Sequence, residues 1–169
     1  MNTNSEFAKM ISAMKKQDFS DWKGISENAD YSIFSQEFSP LSESVGMSKL
    51  GTVGRELSYR MHNTCGTAFS MQVWFEGPGV VMIEEVFPSL RHGAVVLKES
   101  LGVPAAKYDY HMDIGKMPGG AHIYHGRGIT LFWDSGETSI QKIALYTPCT
   151  LDYYREFLFY DDEWTELPE

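Results

Sequence analysis

Cysteine is scarce in this chain: two in 169 residues, Cys65 and Cys149, 84 positions apart. A disulfide framework needs more, and a structural zinc site needs ligands in paired spacing, so neither organises the fold. No motif surrounds either cysteine, which favours a small thiol within the fold over a nucleophile. A surplus of base is also missing. Lys and Arg number 14 against 23 Asp and Glu, a net charge of −9, which argues against nucleic acid as a direct partner. Long apolar runs are absent as well. No window of about 18 consecutive apolar residues occurs, and the N-terminus has no apolar run of signal-peptide length. The expectation is a cytoplasmic protein that does not engage a membrane. Finally, there is no nucleophile elbow, no Cys–His catalytic signature and no dinucleotide fingerprint. The reading therefore leans away from an enzyme and includes neither a cofactor nor a metal.

What is present is core material: 43% apolar and 14% aromatic residues, too rich for a disordered chain. The negative charge is concentrated. Thr150 to Glu169 holds seven acids and one base, Arg155, and so carries −6 of the −9. The body is near balance, and the acidic end serves either solubility or contact with a basic partner.

Phe7, Met10, Ile11 and Met14 follow helical spacing, with Asn4 or Ser5 as cap and Lys15 and Lys16 near the C-terminal end. From Ser20 to Gly54 the pattern weakens to mixed helix and loop. Period-two alternation then predicts strands over Glu56–Met61, Ala68–Phe75 and Val80–Phe87, the last two joined by the Gly-Pro turn at 76–79. Pro88 and Ser89 introduce a helix through Leu90, Ala94, Leu97 and Leu101, ended by Gly102 and Pro104. Strands are expected at Lys107–Met112, Ala121–Tyr124, Ile129–Trp133 and Ser139–Tyr146, with a loop over 113–120 and a turn at Asp134–Glu137. Thr150 caps a last helix through Leu151, Tyr154 and Leu158. The order implies an α+β fold: antiparallel sheet with helices packed on one face, as a single domain over 1–169. Two helix-plus-sheet sub-lobes, 1–88 and 89–160, are an alternative arrangement, with 161–169 a loose acidic tail.

Residues 89 to 146 carry a further pattern: a helix, Leu101-Gly102-Val103-Pro104, a strand, then Ile123 to Phe132, a Gly-centred turn, and Ile140 to Leu145. This resembles a small bacterial module, the helix-then-antiparallel-sheet arrangement of the SmpA/OmlA and β-lactamase-inhibitor-protein superfamily. The resemblance covers about a third of the chain and implies a protein-binding scaffold rather than an enzyme.

Candidate site residues are few. Asp109, His111 and Asp113 would share one face of a strand, about 7 Å apart, where they could hold a divalent metal or do acid–base work; a solvated strand face is the favoured reading. Arg127, between Gly126 and Gly128, could meet a phosphate or carboxylate, although a tight turn explains both glycines. His122 and His125, three apart on a strand, would point to opposite faces, against a shared metal. Trp133, Tyr154 and Trp164, among aromatics concentrated toward the C-terminal end, are candidate interface anchors. The preferred function is a non-catalytic protein-interaction module, immunity- or adaptor-like, binding another protein through aromatic and acidic surface. The alternative is a small-ligand or enzymatic site over the sheet near Asp109, His111, Asp113 and Arg127. Self-association as a homo-oligomer is the third possibility.

Overall fold

Alternation of apolar and polar side chains commits a segment to a strand because successive residues face opposite sides of the pleat. A computed structural model of the chain contains eight strands among its described residues, most of them with this alternation. It describes residues 9–10, 12–13, 15–16, 18–26, 41–47, 53–62, 66, 68–76, 79–90, 94–111 and 118–158. In chain order the strands are β1 (Ser42–Met47), β2 (Val53–His62), β3 (Ala68–Glu76), β4 (Gly79–Leu90), β5 (Ala106–His111), β6 (Pro118–Tyr124), β7 (Ile129–Trp133) and β8 (Ile140–Tyr146). Helix α1 (Ala94–Leu101) joins β4 to β5, and α2 (Leu151–Tyr153) runs into a wider π-type turn, Tyr154–Leu158. The strands form one antiparallel sheet in the order β1-β2-β3-β4-β8-β7-β6-β5. Each half is a four-stranded meander, and the last strands of the two halves meet at the centre, Ile83 opposite Leu145. The α+β class and its antiparallel sheet thus follow the sequence pattern.

Strand β7 shows how the layers divide. Ile129, Leu131 and Trp133 join one apolar cluster, with Met71 and Val73 of β3 and Ile143 and Leu145 of β8. Covering that face are Ala94, Leu97 and Leu101 of α1, spaced three and four apart as one helical stripe requires, together with Met10, Phe19 and Ile25 of the N-terminal segment. Phe132, on the alternate face, joins Ala121, Ile123, Ala144 and Tyr146 under Tyr154 and Leu158. Helices on one face describes α1 and the N-terminal helical residues; the C-terminal turn lies against the other face. Each fully buried Leu, Ile or Met contributes about 1.5–3 kcal/mol against exposure, so β7 and β8, buried on both sides, form the stable centre of the second half.

Several boundaries differ from the sequence reading. The stretch read as mixed helix and loop contains β1 and the start of β2. Ser42-Glu43-Ser44-Val45-Gly46-Met47 lacks the large alternating apolar residues that mark a strand, and it forms one as an edge held by pairing with β2. Pro88, Ser89 and Leu90 extend β4 instead of opening the helix, which begins at Ala94. The register shifts between Val86 and Leu90, so the missing N–H of Pro88 falls at an irregularity where the ladder is already interrupted. Pro118, Gly119 and Gly120 belong to β6 rather than to a loop. Residues 63–65 between β2 and β3, the tip at 77–78 and the tail from 159 lie outside the described residues.

Two glycines separate conformational strain from steric conflict. Gly102 ends α1 with φ +76°, its N–H donating to the Lys98 carbonyl, and nothing stands where a Cβ would go. Gly128 has φ +60°, and a Cβ there would sit 2.0 Å from the Tyr146 carbonyl oxygen. Gly102→Ala should cost about 1 kcal/mol and Gly128→Ala about 3 kcal/mol or more, because only the second forces backbone apart. Urea unfolding of the two variants checks the ordering.

Candidate functional site

The 3₁₀ turn His125–Arg127 links β6 to β7 and aims Arg127 at the N-terminal segment. Its Nε donates to the Trp22 carbonyl at 3.0 Å. One terminal nitrogen donates to the carbonyls of Ser20 at 2.7 Å and Trp22 at 2.8 Å, and the other to that of Ser100 at 3.1 Å. The guanidinium is therefore spent on backbone acceptors at the end of α1 and along residues 20–22. Beside it, the Gly128 carbonyl accepts from the Trp22 indole N–H and from the Tyr146 N–H. Arg127 closes the fold rather than presenting a positive charge to a phosphate.

The other candidates scatter. Asp109 and His111 lie on β5, opposite Gly120 and Pro118 of β6, while Asp113 and Trp164 lie outside the described residues. Trp133 is 2% exposed and Tyr154 2% exposed, so both rings belong to the interior. The Tyr154 and Tyr146 hydroxyls share the Thr130 hydroxyl at 3.0 Å each, and the two rings lie 5.0 Å apart. His125 Nδ1 is 2.6 Å from the Cys149 carbonyl oxygen. Burial pushes the Cys149 thiol up to about 11, which keeps it protonated and unreactive near neutrality. No group of three or more His, Cys, Asp or Glu side chains among the described residues could hold a metal ion. Also among those residues, no helix is long and apolar enough to cross a membrane.

A polar cluster that the sequence reading missed lies on the face beneath α1. His122 of β6 is 1% exposed, and its Nε2 stands 3.1 Å from Glu137 Oε1. The other carboxylate oxygen of Glu137 accepts from Lys98 of α1. The His122 ring tilts against Trp133 at 5.6 Å, and the Lys98 ammonium lies 5.3 Å from the Trp133 ring centre. Glu137 reaches this position from the β7–β8 turn with φ +50°, a left-handed conformation unusual for a residue with a side chain. Asp134 locks the turn by accepting from the backbone N–H and hydroxyl groups of Thr138 and Ser139.

The electrostatics follow from burial. Desolvation lowers the pKa of His122; the Glu137 carboxylate opposes this, while Lys107 and Lys98 reinforce it. Glu137 is itself desolvated, yet the Lys98 hydrogen bond and its two neighbouring bases hold its pKa below the ordinary carboxylate range. Burial, helped by Glu137, pushes Tyr124 up to about 12. His122 Nδ1, the Tyr124 hydroxyl and Trp133 Nε1 are buried without a hydrogen-bond partner among the described residues. A neutral histidine so enclosed offers no approach to a substrate, so the cluster joins α1 to the sheet.

Exposed large apolar side chains mark the surface instead: Leu41, Val95, Val96, Val103 and Tyr153. Tyr153 stands apart because acids flank it. The Asp152 side chain is 95% exposed and Glu156 is exposed, and the Tyr153 ring meets Phe157 at 4.7 Å. In comparisons with known proteins, no family model, curated protein or solved structure matches the chain.

The buried histidine sets a pH dependence. Unfolded, His122 takes a proton near pH 6.5; folded, it resists until a lower pH. Its contribution is therefore fully present above pH 6.5 and is lost as the pH falls below that value. Urea midpoints should drop between about pH 7.5 and about pH 5.5, and His122→Phe should shrink the drop. Separately, Arg127→Lys should destabilise by about 2–3 kcal/mol, since an ammonium cannot serve carbonyls on three sides of a planar fork; thermal unfolding checks this.

Proposed function

We propose that the protein is a non-catalytic protein-interaction module, immunity- or adaptor-like, that binds a basic partner through the aromatic and acidic face of its C-terminal helical segment. The observation that carries this reading is how the segment divides its residues. Tyr154 and Leu158 are buried against the sheet, and the Thr150 hydroxyl caps the first turn by accepting from the Tyr153 N–H. Arg155, the segment's base, donates to the Tyr108 hydroxyl at 2.7 Å. A terminal nitrogen of Arg155 also lies 3.9 Å from the Asp152 carboxylate, and Asp152, Tyr153 and Glu156 remain exposed at the surface. The sequence beyond continues in kind, with Phe159, Tyr160, Asp161, Asp162, Glu163 and Trp164. Carboxylates next to aromatic rings suit lysine and arginine, which gain ion pairing at the head and ring contact along the cation. A protein-binding scaffold is also what the resemblance to the β-lactamase-inhibitor-protein superfamily implies.

The triple variant Asp152→Lys, Tyr153→Ala, Glu156→Lys alters exposed side chains and should leave the melting temperature nearly unchanged. Wild-type bait should capture a basic protein from native lysate and release it as salt is raised. With the purified partner, the triple variant should bind at least about tenfold more weakly. Capture of the same proteins at the same affinity by the variant, or no specific capture by wild type, rejects the reading.

A further inference from the structure

Strand β5 is one edge of the sheet and reads Ala-Lys-Tyr-Asp-Tyr-His. The Ala105 N–H donates to the Ile123 carbonyl at 2.8 Å, so Ile123 directs its backbone groups toward β5. Ile123 stands opposite Ala106, Ala121 opposite Tyr108 and Gly119 opposite Tyr110. Backbone groups alternate sides along an antiparallel strand, so Ala106, Tyr108 and Tyr110 bond to β6. Lys107, Asp109 and His111 then direct N–H and C=O away from β6, where no strand pairs with them among the described residues. Such a row is a template for pairing.

We propose that β5 pairs antiparallel with β5 of a second copy, with Tyr108 on the two-fold axis and Lys107 opposite the partner's Asp109. Charge complementarity selects both the occupant and the register. Only registers that set outward residues against outward residues complete the hydrogen bonds. Centring on Lys107 opposes two lysines, and centring on Asp109 opposes two aspartates. Centring on Tyr110 moves Lys107 past the end of the partner's strand. Centring on Tyr108 gives two Lys–Asp pairs, one on each side of the axis, as a closed two-fold contact requires. The result is one sheet running continuously through both copies. The face proposed for a basic partner lies on a different element, tied to β5 through the Arg155–Tyr108 hydrogen bond, which charge changes at 107 and 109 leave in place, so each interaction can be tested apart from the other.

Sedimentation velocity of the full chain over about a hundredfold concentration range should show monomer and dimer in exchange. Lys107→Asp alone, or Asp109→Lys alone, sets like charges at both pairs and should weaken the dimer by about tenfold or more. The double variant Lys107→Asp/Asp109→Lys restores opposite charges and should recover the dimer. An equimolar mixture of the two single variants should form a heterodimer for the same reason. In wild type, amide exchange at Lys107 and Asp109 should slow as concentration rises, a readout that needs no variant to fold. A wild-type monomer throughout, single variants that dimerise as tightly as wild type, a double variant that stays monomeric, or exchange independent of concentration overturns the proposal.

Discussion

The fold depends on a place where backbone segments approach more closely than any side chain would permit. At Gly128 a Cβ would collide with the Tyr146 carbonyl and stand 2.9 Å from the Gly24 Cα, and at Gly24, with φ +95°, it would run into the Pro148 ring. Three parts of the chain meet there: the N-terminal segment, the β6–β7 turn and the exit of β8. Once they are in contact, the Ile25 N–H reaches the Tyr146 carbonyl, the Tyr146 N–H reaches Gly128, and Arg127 lies within range of Ser20 and Trp22. The glycines make the contact possible and the arginine holds it. Phe19 and Ile25 then sit over the sheet beside α1, and the first apolar cluster is sealed.

Much of this arrangement was legible in the sequence, for a physical reason. Strand alternation is local, so β2, β3, β7 and β8 could be read from their own residues, and the Asp134–Glu137 turn and the Gly102 stop from theirs. What is imposed from outside could not. β1 has no apolar alternation of its own and is a strand because β2 lies beside it. Pro88 looks like a helix opener until Leu90 is seen opposite Ile140.

The site residues divide along the same line. Arg127 was conspicuous between two glycines, but its acceptors are carbonyls more than 100 residues earlier and at the end of α1, a separation no local pattern reveals. Trp133 ends a strand, where an aromatic ring can face in or out, and contact with His122 and Lys98 takes it in. The His122–Glu137 pair needs both the β6–β7 register and the left-handed residue in the following turn. The one advance signal was Asp134 with Thr138 and Ser139 behind it, a carboxylate poised to tighten a turn and carry Glu137 back toward the sheet. Asp152 and Glu156 register in the sequence only as net charge; which side they face depends on Tyr154 and Leu158 being buried against the sheet.

The central seam has a consequence for how the molecule is made. Strand β4 is complete at residue 90, yet its second neighbour, β8, ends at residue 146. During synthesis from the N-terminus the first meander therefore emerges with one flank of β4 open, since no earlier strand among the described residues pairs there. Closure waits until the second meander has left the ribosome, a long-range pairing of the kind that slows assembly. In that interval Pro88, without an N–H to offer, and the irregular register beside it make the waiting flank a poorer template for strands of other nascent chains.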